Sequence, residues 1–216
     1  MSNDDLEINV NEELLWDPKV DGAAIAVSAD DGVITLRGTV GSFRQKREAK
    51  TDAERVYGVK SVTNELQVRI LNEDRRDDAD LRGSVLQALM LDSLVPSTID
   101  AKVADGWVTL TGTAEWQFQR DEAKFIAANI LGVVGVDSEI ELVGPTPSPS
   151  DVKHSIKKAM ERNAKLDADS VSVDSSNGNV TLRGTVSSWA DHDEAVAAAW
   201  AAPGVTRVND HVLVAY

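Results

Sequence analysis

Carboxylates, three histidines, one lysine-rich segment and several glycine-rich turns are the groups whose types and spacing could do chemistry in this chain. His154, His192 and His211 all fall in the last third. A histidine acting as general base works beside a nucleophile or within a ligand set, and neither a nucleophile elbow nor metal-ligand spacing accompanies these three. Gly178 to Thr185 superficially matches a phosphate loop, but five residues rather than four separate its glycines, and Arg183 precedes the second glycine where a lysine should follow it. Asp17-Pro18-Lys19-Val20-Asp21-Gly22 has carboxylates at positions 1 and 5 of a calcium loop and glycine at 6, yet Lys19 fills position 3 and Ser28 stands where the glutamate at 12 belongs. Asp77-Asp78-x-Asp80 and Asp191-His192-Asp193-Glu194 could bind cations weakly, but read better as a solvated linker and a helix N-terminus favoured by its dipole. There is no cysteine, hence no disulfide, thiolate metal site or cysteine nucleophile. The expectation is a protein that is not an enzyme, with no catalytic residue, metal or cofactor.

Two groups of residues are better suited to binding. At about 100° per residue, Lys153 and Lys157 fall on one flank of an apolar stripe (Val152, Ile156, Met160), and Lys158, Arg162 and Lys165 fall on the other. With Asp151 and Glu161 counted, the local excess of three positive charges is worth at most about 3 kcal/mol on an anionic membrane, which means a weak, salt-sensitive contact. The competing reading is a solvated face with ion pairs. The second group is aromatic: Trp107 in the outward register of a strand, and Trp116 and Phe118 in a strand-to-helix connection, form a partner patch if exposed, while a neighbouring module could equally cover Trp107.

The elements that must position these residues repeat. Gly32 to Thr39, Gly106 to Thr113 and Gly178 to Thr185 share one pattern, and within each copy the glycines (Gly32, Gly38, Gly58; Gly106, Gly112, Gly132; Gly178, Gly184, Gly204) sit 6 and then 20 residues apart. Self-similarity over about 70 residues implies three small domains in tandem. Each copy opens with a helix whose buried positions are Leu6, Val10 and Leu14; Leu81, Val85 and Leu89; or Val152, Ile156 and Met160. Asp17-Pro18 and Pro96-Ser97 halt the first two helices, and Asn163-Ala164-Lys165 replaces that turn in the third copy. Two alternating strands follow around Asp31-Gly32, Asp105-Gly106 and Asn177-Gly178, a strong hairpin signal. A second helix, from about Phe43 to Tyr57, Phe118 to Leu131 and Asp191 to Ala202, buries paired alanines and ends at a C-cap glycine. A last strand closes the module. Gly38, Gly112 and Gly184, inside strands, are read as framework for a bulge or close packing. The order is αββαβ, over residues 1–71, 78–143 and 150–216. The proline-rich linker from Gly144 to Ser150 is expected to hold the third copy apart, leaving the first two free to dock.

The segments Asp17-Pro18-Lys19-Val20-Asp21, Ile25-x-Val27, Gly32-Val33-Ile34-Thr35-Leu36-x-Gly38-x-Val40 and Gly58-Val59-x-x-Val62-x-Asn64-x-Leu66-x-Val68 resemble the BON domain of bacterial osmotic-stress and nodulation proteins. All three copies resemble it, the second least, with Ser138 in place of Asn64. The resemblance implies an α+β fold in each module, two helices packed on a three-stranded mixed sheet, and no enzyme chemistry. It implies stress or envelope physiology, with binding of anionic phospholipid surfaces or protein partners; the alternative it offers is a cytosolic potassium-responsive module.

Charge and termini bound the partners. The net charge of -14 is uneven: residues 77–144 hold 4 basic against 12 acidic side chains. Such a surface repels phosphate backbones, so nucleic acid is not an expected partner. Acidic residues at the start and the absence of an apolar run of membrane-spanning length predict a cytoplasmic protein, or a periplasmic one if a leader has been removed. No pattern sets an oligomeric state.

Overall fold

The computed structural model describes residues 2–70, 76–144, 148–162 and 170–215. Leu6, Val10 and Leu14 form the buried stripe of α1 (Asn3–Trp16), which Ser2 and Asp5 start with a reciprocal capping box. Strands β1 (Ile25–Asp30) and β2 (Val33–Val40) pair antiparallel with Asp30 opposite Val33. The two-residue loop between them is Asp31-Gly32, both left-handed at φ 47° and 85°, the twist-matched hairpin turn that Asp-Gly favours. Helix α2 (Phe43–Arg55) buries Ala49, Asp52 and Ala53. Strands β3 (Ser61–Asn64) and β4 (Gln67–Val68) then pair parallel with β2, which is therefore central in a mixed sheet.

The same order recurs. Helix α3 (Asp78–Leu91), strands β5 (Asp100–Ala104) and β6 (Trp107–Ala114), helix α4 (Gln117–Ala128) and strand β7 (Gly135–Leu142) give a sheet of order β5-β6-β7. Helix α5 (Pro149–Arg162), strands β8 (Val171–Ser176) and β9 (Asn179–Val186), helix α6 (Trp189–Trp200) and strand β10 (Arg207–Val214) give a sheet of order β10-β9-β8, parallel for β10 with β9 and antiparallel for β8 with β9. The fold is α+β, three repeated αββαβ modules.

Each second strand turns a leucine and a β-branched residue inward: Ile34 and Leu36, Val108 and Leu110, Val180 and Leu182 are fully buried. The alanines Ala49, Ala53, Ala123, Ala127, Ala195 and Ala199 are fully buried too, small enough for a helix to lie close on a sheet. Gly38, Gly112 and Gly184 have φ of 135°, 122° and 153°, and a Cβ at any of them would run into the carbonyl oxygen of Ala24, Thr98 or Ser170. The other six glycines of the repeat also have positive φ.

Three expectations need correction. The second helices stop at Arg55, Ala128 and Trp200, short of Tyr57, Leu131 and Ala202, and their caps are Val56 in the first copy and Ala201 in the third. Gly58 and Gly204 are therefore not the C-caps but lie beyond them, in the turns closed by Val59 N to Val56 O and Val205 N to Ala202 O. The last strand of the first copy is broken after Asn64: its Nδ2 donates to the Lys46 carbonyl and its Oδ1 accepts from Leu66 N, so the side chain takes the Leu66 N–H in place of the ladder while Glu65 N still donates to the Leu36 carbonyl and Leu66 drops into the core. The third copy is not held free of the second, since the Arg120 guanidinium lies 5.5 Å from the centre of the Trp200 ring. The expected turn at 163–165 lies outside the described residues.

The chain divides into two compact units, Met1–Leu89 with Ala101–Thr109 and Phe125–Asp137, and Met90–Asp100 with Leu110–Lys124 and Ser138–Tyr216. The first contains the core of α1, α2 and their sheet; the second contains the core of α5, α6 and theirs.

Candidate binding site

The helix starts differ between copies in one residue that matters. Ser42 caps α2 by accepting from Gln45 N at 3.2 Å, and Ser188 caps α6 by accepting from Asp191 N at 3.1 Å. At the equivalent position before α4 stands Trp116, which has no side-chain oxygen to offer. Gln119 still reaches back, its Oε1 accepting from Glu115 N and Trp116 N, so half of the capping arrangement survives. Replacing a serine cap forgoes about 1 kcal/mol of helix stability, and the indole needs another reason to be there.

That reason is a groove. Trp116, Gln117, Phe118 and Asp121 from the start of α4 and Asp193, Val196, Ala197, Trp200 and Ala201 along α6 line an open cavity of about 730 Å³ within the second compact unit. The helix periods explain the α6 side: Ala195 and Ala199 face the core, and the positions one step on, Val196 and Trp200, lie half-buried at its edge. Phe118 is 51% exposed. Arg120 lies over the Trp200 ring, and Gln117 Nε2 donates to Asp121 Oδ1 at 2.9 Å. Exposed Asp121 and Asp193 thus border a floor of two indoles, a phenyl ring and a valine.

His192 sits behind Asp193. Its Nε2 is 2.7 Å from Asp210 Oδ2 and its Nδ1 is 3.2 Å from Asp193 Oδ1, and its ring packs edge-on against Trp189. The hydrogen bond to Asp193, aided by Asp210, raises the imidazole pKa against the opposing effect of burial. Asp210 Oδ1 accepts from Val212 N, as Asn64 does from Leu66 N in the first copy, so this histidine pairs with a framework position.

Trp107 is 46% exposed, donates Nε1–H to Asp137 Oδ2 at 3.0 Å, and lies so closely over Gly135 that a Cβ there would strike the ring; it covers its own sheet and takes no part in the groove. On α5 the apolar stripe Val152, Ile156 and Met160 is buried, Lys153 pairs with Asp174 at 3.4 Å, and Lys157, Lys158 and Arg162 are exposed. Lys165 lies outside the described residues. Asp77 and Asp78 have structural duties: Asp77 Oδ1 accepts from Asp80 N, and the Asp78 carboxylate accepts from Asp105 N and Gly106 N, tying α3 to its hairpin. The calcium-like segment holds its own cation, Asp17 pairing with the Lys19 ammonium at 3.1 Å. Among the described residues no group of three or more histidines and carboxylates is arranged to hold a metal ion, and no helix is long and apolar enough to cross a membrane.

Of the groove residues, Trp116 and Phe118 are legible in the sequence as a partner patch, and Asp193 enters there only within the carboxylate cluster at 191–194; Asp121, Val196 and Trp200 are not among the sequence candidates. The available signal was departure from the repeat, since the position of Trp200 holds Glu54 in the first copy and Ala128 in the second.

A family model described as the BON domain matches residues 2–70, 77–144 and 149–216. The chain belongs to the BON domain family. Osmotically-inducible protein Y of Escherichia coli (strain K12) is 32% identical over 146 residues, 65% of this chain and 73% of that protein. CdsD, a structural protein of the Type III secretion system of Chlamydia trachomatis, aligns over 98% of this chain and 92% of its own at 16% identity, with a TM-score of 0.28 that is too low to bear on the fold. This is a tandem BON-domain chain related to an osmotically inducible protein. The cytoplasmic location expected from the N-terminus gains no support from these relatives.

Proposed function

We propose that this protein is a non-catalytic binding protein of osmotic-stress physiology that docks a protein partner in the groove between α4 and α6. The observation that carries the reading is Trp116: a helix-capping serine in the first and third modules is an indole in the second, and that indole lines an exposed aromatic cavity. Cavities of this size, apolar with a few polar groups at the border, suit a partner's side chains. A photo-crosslinking residue at Phe118, in cells shifted to high osmolarity, is expected to give a discrete adduct of one identifiable protein that disappears when Trp200 is changed to Ser. The same adducts from a crosslinker at exposed Leu213, outside the groove, would overturn the reading.

The exposed cations of α5 favour a second reading, contact with anionic phospholipid. Because the apolar stripe of α5 is buried in its own core, such contact is electrostatic only and inserts nothing. Sedimentation with anionic vesicles at low salt, lost at high salt and absent with neutral vesicles, is the expected pattern; equal absence from both vesicle types excludes it.

A further inference from the structure

We infer that the occupant of the groove is a cationic amphipathic segment, apolar side chains on one helical face flanked by lysine or arginine. This rests on the docking reading above and adds the chemistry of the partner. The floor of Trp116, Phe118, Val196 and Trp200 accepts apolar side chains, and these come from the start of α4 and two turns of α6, an apolar groove of the kind that takes the apolar face of an amphipathic helix. The border selects charge. Asp121 and Asp193 both line the opening; Arg120 beside them is engaged with the Trp200 ring, and Asp193 is bonded through Oδ1 to His192, which is held in turn by Asp210. An incoming ammonium or guanidinium finds carboxylates at the edge and the Trp116 indole beside them, the two kinds of partner a cation prefers. An anionic headgroup or a phosphodiester meets the same carboxylates and is repelled.

The chain as a whole points the same way. Its net charge is -14, and residues 77–144, which supply Trp116, Phe118 and Asp121, hold three acidic side chains for each basic one. A basic ligand is therefore drawn in over a distance on the order of the Debye length, about 8 Å at physiological salt. A second copy of this chain is a poor occupant. Its basic helix α5 has the right charge, but the apolar residues that would serve as anchors, Val152, Ile156 and Met160, are buried in that copy's own core.

The test uses the full chain and two labelled peptides of about 14 residues, long enough to be helical on contact, with leucines at positions spaced three and four apart and either lysine or glutamate elsewhere. Fluorescence anisotropy is expected to show the lysine peptide binding at least about tenfold more tightly than the glutamate peptide. Trp116→Ser, which restores a helix cap and so tests the groove without weakening the fold, is expected to abolish binding. The double change Asp121→Asn with Asp193→Asn is expected to weaken the lysine peptide about tenfold, whereas Glu139→Gln with Glu141→Gln, an equal loss of charge outside the groove, changes it less than about twofold. If both peptides bind alike and both are lost in Trp116→Ser, the groove stands and the cationic chemistry is overturned. If the lysine peptide binds Trp116→Ser as well as the parent, or does not bind the parent, the groove itself is overturned.

Discussion

Asp52 is the residue whose environment least suits its chemistry. Its side chain is fully buried in α2, and among the described residues neither oxygen receives a hydrogen bond, although Arg55 Nη1 approaches Oδ1 at 3.0 Å. Burial raises its pKa to about 6, with the nearby Asp17 charge adding to the effect and Arg55 opposing it. Asp17 itself is lowered, first by the Lys19 backbone N–H and then by the Lys19 ammonium. A carboxyl raised in the folded state adds stability below its unfolded pKa, near 3.8, and that stability is lost as pH rises through about 6. Asp52→Asn keeps the shape and cannot ionise. In urea titrations the parent is expected to lose stability from pH 4 to 7 relative to Asp52→Asn, the variant being more stable at pH 8 by about 1 kcal/mol once screening is allowed for. His192 loses stability in the same direction but higher on the scale: its pKa is raised, so its contribution is present below about 6.5 and vanishes as pH passes the folded value. His192→Gln should remove the alkaline part of the pH dependence and leave the acidic part. Equal profiles for parent and variant would show that the pair with Asp193 and Asp210 has no net effect.

At the scale of elements, the framework was legible because each copy builds its helices, hairpin and buried stripe from local periodicities. Leucine and valine at steps of four, alternating strands and Asp-Gly turns are signals that neighbours in sequence carry together. The break after Asn64 was not legible, because Val62-x-Asn64-x-Leu66 alternates like any strand and only the Lys46 carbonyl, from another element, turns Asn64 into a ladder substitute. The groove was half legible for a similar reason. Trp116 and Phe118 announce themselves in a connection, whereas Val196 and Trp200 hide in a helix whose alanines already satisfy the core pattern. The cap position makes a sharp prediction. Trp116→Ser is expected to raise unfolding free energy by about 1 kcal/mol in the same chain that loses its peptide, the opposite sign from an ordinary removal of a tryptophan. The framework glycine gives the contrasting outcome: Gly38→Ala places a methyl against the Ala24 carbonyl at φ 135° and is expected to cost about 3 kcal/mol, read as a lowered denaturation midpoint with an unchanged slope.

On the scale of the molecule, small modules are marginal alone, and two contacts of one kind join elements from different modules, each inside one compact unit. Arg47 of α2 lies 5.4 Å from the Phe125 ring in the first, and Arg120 of α4 lies 5.5 Å from the Trp200 ring in the second. Neither was legible in the sequence, because the partners are about 80 residues apart and sit on faces the repeat leaves free to vary. Against these attractions stands a net charge of -14, whose self-repulsion opposes compaction and is screened by any salt. Stability should therefore rise with ionic strength, by the same amount in potassium, sodium and choline chloride at matched concentration, because screening depends on charge and not on the size of the ion. A rise in melting temperature confined to potassium would instead require a site that selects that ion by its dimensions, and would restore the potassium-responsive alternative. The peptide titration in the same three salts separates the two contributions: added salt weakens the lysine peptide while it strengthens the fold, so affinity and melting temperature are expected to move in opposite directions as one variable is changed.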